Sequence, residues 1–198
     1  MKKMICLGLI LLHILALSGC GDSEIPKGKD TSKTNVTSTE KEGIQPDVAI
    51  EEIVWSFENG DIEGQKCVVL QFTNNSEYTI NEFELKFEEK ADLSDDDKKQ
   101  IYSDLQKSQG FDDKYMNAFV KSREELDQPI TMYGRCDEPI APDSTSEKIK
   151  CYYIGGWTSK EVLHAEKFEP VKAIINYTKD DTSFTLNYDF KSKTYDVE

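Results

Sequence analysis

The stretch Glu82-Phe83-Glu84-Leu85-Lys86-Phe87-Glu88 alternates charged and apolar residues without a break. Successive side chains of a strand point to opposite faces, so Phe83, Leu85 and Phe87 make a buried face and the charged residues a wet one. Upstream, Ile53, Trp55 and Phe57 alternate with Val54 and Ser56, and Lys66-Cys67-Val68-Val69-Leu70-Gln71-Phe72 reads as a strand apolar on both faces. The turn-rich Asn59-Gly60-Asp61-Ile62-Glu63-Gly64 between them predicts a hairpin with a loop longer than the two-residue type. Asn74-Asn75-Ser76 ends the second strand.

Downstream the period changes. Ser94 can cap a helix, with Asp97 three residues on in a capping-box position. Ile101 and Leu105 stand four apart, Tyr102 widens their face, and Gly110 is placed as a helix stop. Asp112 can open a second helix with Tyr115, Met116, Phe119 and Val120 on one face, limited by Pro129. Strands then resume at Ile130 to Cys136 and Glu147 to Ile154, separated by the loop Glu138 to Ser146. After Gly155-Gly156, the pair Thr158 and Glu161 predicts a short capped helix carrying Val162 and Leu163. Val171 to Tyr177 and Phe184 to Phe190 form a last pair across the turn Lys179-Asp180-Asp181. About seven short strands with turn signals between them point to a mainly β chain, an immunoglobulin-like antiparallel β-sandwich with a helical-hairpin insert at 94–128. The alternative is an α+β fold with one antiparallel sheet covered by helices.

The N-terminus has a different character. Met1-Lys2-Lys3 is basic, and Met4 to Leu17 is apolar apart from Gly8 and His13, the pattern of an export signal. The run is shorter than the roughly 20 residues a spanning helix needs. It ends in Leu17-Ser18-Gly19-Cys20, which resembles the lipobox of bacterial lipoproteins. That resemblance implies recognition of Leu17, Ser18 and Gly19, cleavage before Cys20, and a diacylglycerol on the Cys20 thiol. A two-chain anchor holds stably, at roughly 0.8 kcal/mol per buried methylene. Residues 1–19 are then the signal peptide, 20–47 the lipidated cysteine and a flexible tether, and 48–198 a single β-rich domain. The tether has no aromatic residue and too little apolar surface to fold, and as a coil it reaches roughly 25–30 Å. The expected location is the outer face of the cell membrane, held by lipid.

The chain has 24 Lys+Arg and 38 Asp+Glu. Loss of Lys2 and Lys3 with the signal leaves 22 against 38, a net charge of −16. So negative a balance excludes nucleic acid and a polybasic membrane contact, and leaves a solvated acidic surface or attraction of cations or a basic partner.

Within the folded part, Val69-Leu70-Gln71-Phe72-Thr73-Asn74-Asn75-Ser76, Phe83-Glu84-Leu85 and Ile140-Ala141-Pro142-Asp143-Ser144 resemble the small immunoglobulin-like FxLYD domains of Gram-positive lipoproteins. The chain departs from that pattern at Lys86-Phe87, at Asp143 where glycine is usual, and in the helical insert. The resemblance implies a fold and supplies no catalytic residue.

Candidate chemistry is sparse. His164 is the sole histidine after cleavage, without a Gly-x-Ser-x-Gly elbow, and reads as a surface or partly packed side chain. Cys67, Cys136 and Cys151 lack Cys-x-x-Cys spacing, and a zinc set with His164 is disfavoured. As a simple hairpin, Cys136 and Cys151 fall out of register for a bridge, and Cys67 reads as a small core residue. Asp92 to Asp97 fails the calcium-loop pattern, having Asp97 at the sixth position and Ser103 at the twelfth, and suits a helix N-terminus instead. Trp55 reads as core, and Trp157, after two glycines, as a ligand-contact candidate. No cofactor is expected. These readings favour a non-enzymatic extracytoplasmic binding or adaptor module, using a sheet edge or the groove beside the insert to hold a peptide or protein. The alternatives are an acid/base hydrolase acting on the cell envelope, and a transporter's solute receptor, which the missing βαβ alternation disfavours.

Overall fold

β1 (Ile53–Ile62) and β2 (Gln65–Asn74) form the first hairpin of the computed structural model, which describes residues 46–153 and 155–197. The signal, the Cys20 motif and the tether up to residue 45 lie outside the described residues. In chain order there follow β3 (Thr79–Glu89), α1 (Asp95–Gln109), α2 (Asp113–Glu125), β4 (Thr131–Cys136), β5 (Ser144–Thr145) and β6 (Ile149–Lys150). Then come β7 (Tyr152–Tyr153), β8 (Trp157–Thr158), β9 (Phe168–Lys179), β10 (Thr182–Asp189) and β11 (Thr194–Val197).

One sheet joins β1 to β2, with β5 and β6 on the far side of β2. The other has the order β11-β10-β9-β3-β4-β7-β8, and every pair is antiparallel. The chain changes sheet after β2, after β4 and after β6, so β5 and β6 return beside β2 while β9 returns beside β3. This is the connectivity of an immunoglobulin-like sandwich. The inner faces meet through aromatic rings: Phe57 stacks on Phe87 with centroids 3.8 Å apart, and Phe72 lies 4.5 Å from Phe83. Phe83, Leu85 and Phe87 are fully buried, as their alternation requires. On the outer face Arg135 of β4 stands opposite Glu84 and lies 3.4 Å from Glu82.

The helical insert forms as its capping signals predict. The Ser94 hydroxyl accepts the Asp97 N–H at 3.1 Å, and the Asp97 carboxylate accepts the Ser94 N–H at 3.3 Å. Gly110 ends α1 with φ +70°, a left-handed value that costs glycine little. Asp112 caps α2 by accepting the Tyr115 N–H at 2.7 Å. Ile101 and Leu105 are buried in the common core. On α2, Met116 is buried but Tyr115 is 46% exposed, a correction to the expected apolar face.

Other departures have local causes. The first hairpin turns on two residues, Glu63 and Gly64, with φ +54° and +79°. Positive φ at both positions marks a tight turn whose twist matches the flanking strands. Asn59 and Gly60 stay in β1, where a Cβ on Gly60 would lie 2.9 Å from Val69 Cγ2. The expected strand Glu147 to Ile154 is divided. Its first part pairs with β2 through Leu70 and Ile149, its second with β4 through Tyr133 and Tyr152, and the buried Cys151 makes the crossing. The expected helix at Thr158 is absent. Ser159 donates its N–H to Cys151, its hydroxyl accepts the Val68 N–H at 2.9 Å, and Glu161 has φ +60°. Those bonds hold the segment against the edge of β2, and only a short 3₁₀ turn, Ala165–Lys167, forms further on. With β5 inside the expected loop and β11 after a turn at Lys191 to Lys193, the described residues contain eleven strands rather than about seven.

Candidate functional site

A groove runs beside the helical insert. Its middle is a cavity of about 560 Å³ between the end of β3, α1 and α2, lined among others by Glu89, Lys98, Tyr102, Val120, Arg123 and Glu124. Tyr102 and Val120 also line a cleft of about 430 Å³ between the two helices. Glu89 and Pro129 also line a hollow of about 670 Å³ that reaches Pro170 and Phe190. The three hollows are neighbours, sharing lining residues along the insert.

The helical period brings Arg123 there. Met116, Phe119, Val120 and Arg123 follow one another at helical spacing on α2, so the guanidinium falls on the stripe that packs inward. Arg123 is 5% exposed and lies 5.5 Å over the Phe119 ring. Its Nε and Nη2 are enclosed with no hydrogen-bond partner. Glu89, at the last position of β3, places Oε1 3.3 Å from Lys98 Nζ, while its Oε2 is enclosed and unpartnered. Three of the five such orphaned side-chain atoms among the described residues therefore belong to two residues of one cavity. Tyr102 lies beside them. Burial raises its hydroxyl pKa, against the Arg123 charge and the close approach of the Arg123 guanidinium to the hydroxyl, which leaves Nε and Nη2 without a bond of good geometry. A buried polar atom without a partner costs about 1–3 kcal/mol, and more when charged, so native folds keep few of them.

Trp157 holds the insert to the sheet. Phe111, Phe119 and Tyr115 surround it with ring centroids at 4.8, 5.0 and 6.0 Å, and the Thr158 carbonyl accepts a bond from Gln109 Nε2. The indole is half-buried in this cluster and does not line the groove. Trp55 packs edge-on to Phe87 and Phe190. His164 is a second clasp, with Nε2 3.0 Å from Asp104 of α1. Burial would raise the Asp104 pKa, but bonds from Gln100 and His164 and nearby positive charge outweigh it, and the carboxyl is held below its usual range.

Cys67, Cys136 and Cys151 are buried, unbridged thiols. Desolvation raises the pKa of each, most strongly for Cys151, so none is poised as a thiolate. Among the described residues no cluster of His, Cys, Asp and Glu is arranged to hold a metal. The acidic run serves α1 instead. Asp97 bonds Lys167 Nζ at 2.7 Å as well as Ser94, and these contacts lower its pKa to about 2. Among the described residues Glu84 is the one carboxylate with a resolved upward shift, caused by burial and opposed by Arg135, and it does not line the groove. No helix of the described residues is long and apolar enough to cross a membrane.

Sequence reading missed Arg123 and Glu89. The signal available for Arg123 was its position, a charged residue continuing an apolar stripe. No family model matches the chain, and neither a curated protein nor a solved structure matches it.

Proposed function

We propose that the chain is a lipid-anchored, extracytoplasmic, non-enzymatic binding module that holds a peptide or protein partner in the groove beside its helical insert. The observation that carries this reading is the set of orphaned polar atoms on Arg123 and Glu89, two residues lining one cavity beside the insert. A partner that supplies the missing bonds recovers the cost of burying them. The anchor rests on Leu17-Ser18-Gly19-Cys20, and the tether gives the groove clearance from the bilayer.

Two measurements test it. Intact-mass analysis of the protein from membranes is expected to show a chain starting at Cys20 with an added diacylglycerol, and Cys20→Ser to release it from the membrane fraction. A photo-cross-linking residue at Val120, in the groove, is expected to trap a discrete partner in native membranes. The same residue at Val54, exposed on β1, should not. Equal trapping at both sites, or none at Val120, refutes the groove.

A further inference from the structure

We infer that the groove takes an extended, basic partner segment carrying one acidic side chain, whose carboxylate is gripped by the Nε–Nη2 edge of Arg123. This deepens the binding-module reading and rests on it.

The two orphaned nitrogens of Arg123 are not an arbitrary pair. Nε and Nη2 lie along one edge of the planar guanidinium and present two near-parallel N–H bonds, the fork that matches the two oxygens of a carboxylate. A carboxylate is available within the protein, since Glu89 lines the same cavity, yet no bond joins it to Arg123. Instead Glu89 turns Oε1 to Lys98 and keeps Oε2 free as an acceptor. Both groups belong to residues that line one cavity, so an occupant that displaces the side chains covering them meets a double donor and a single acceptor.

Charge and shape select among the acids that could enter. Glu89, Asp95, Glu124 and Asp127 border the cavity against Lys98, Lys99 and Arg123, a small acidic excess that disfavours a dianion such as phosphate more than a single carboxylate. A single carboxylate between basic residues suits both the fork and the acidic surroundings. The excess of 38 acidic over 24 basic residues favours a basic partner at longer range. Two further hollows adjoin the Arg123 cavity, one with Met116 in its wall and one with Pro170. That suits a chain passing through with a side chain turned inward better than a chain end. The orphaned nitrogens are covered in the empty groove, so entry has to part the lining side chains around them.

The test uses the full lipidated chain in detergent micelles and four probes. These are the capped peptide acetyl-Lys-Ala-Ala-Glu-Ala-Ala-Lys-amide, its Gln analogue, the Gln analogue with a free C-terminus, and inorganic phosphate. The Glu peptide is expected to bind saturably and the Gln analogue about tenfold or more weakly, as loss of a charge-assisted pair implies. In Arg123→Gln the two capped peptides should bind alike. Arg123→Lys, which keeps charge but not the fork, should recover only part of the difference. Near-UV circular dichroism checks that each variant is folded, and Glu89→Gln should weaken both capped peptides together. Equal binding of the Glu and Gln peptides to the native chain overturns the assignment, as does a difference that persists in Arg123→Gln. So does tighter binding of phosphate or the free-ended peptide, or no saturable binding of the Glu peptide. The Val120 cross-link requires no carboxylate, so the groove itself can stand or fall separately.

Discussion

Gly134 has no room for a side chain. A Cβ there would come within 2.9 Å of Leu70 Cδ2 and 3.1 Å of Cys151 Sγ, where β4 packs beneath β2. Gly134→Ala is expected to destabilise the fold by about 1–3 kcal/mol through overpacking, measured by urea unfolding. Asp97 gives a pH signature. Its folded pKa, about 2 against an ordinary 3.8, makes its contribution complete above about pH 4 and lost as pH falls toward 2. The difference in Tm between the native chain and Asp97→Asn should therefore shrink between pH 4 and pH 2. A difference independent of pH over that window would show that the Lys167 and Ser94 contacts do not act through this charge. At this scale the residues spoke unevenly. Ser94, Asp97 and Gly110 announced their roles, because a cap depends on neighbours a few positions away. Arg123 did not, because its missing partners are a property of the cavity around it.

Among the elements, the strands with one wet face and the two capped helices were legible, and the segment from Glu147 to Leu163 was not. Ile149, Cys151 and Tyr153 keep the alternation of one strand, but the chain moves between sheets at Cys151. Period records which side a residue faces and says nothing of which sheet it joins. Thr158 and Glu161 satisfy a capping-box pattern, yet Ser159 is bonded to β2 and Glu161 is left-handed, and these tertiary bonds override the local preference. In α1 the local signals and the packing agree: the cap forms, and Ile101 and Leu105, one turn apart, are buried along one face. Ser94→Ala should cost about 1 kcal/mol. The loss should appear first as faster amide exchange in residues 95–109, with the β3 and β9 amides little changed. Equal acceleration in the strands would mean that the insert and the sandwich open as one unit.

For the whole molecule, the mainly β class, the alternating strands, the place and caps of the helical insert, and the acidic balance could all be read along the chain. Each follows from periodicity, composition or contacts between near neighbours. Asp143 is a small case of the same kind: it has φ +56°, a left-handed value that aspartate tolerates better than most residues. The sheet order, the crossing at Cys151, the close approach at Gly134, and the placing of Arg123 and Glu89 in one cavity across 34 positions of chain arise from the folded arrangement. Those depend on which distant surfaces share space, and burial and orphaned hydrogen bonds exist only once that space is enclosed.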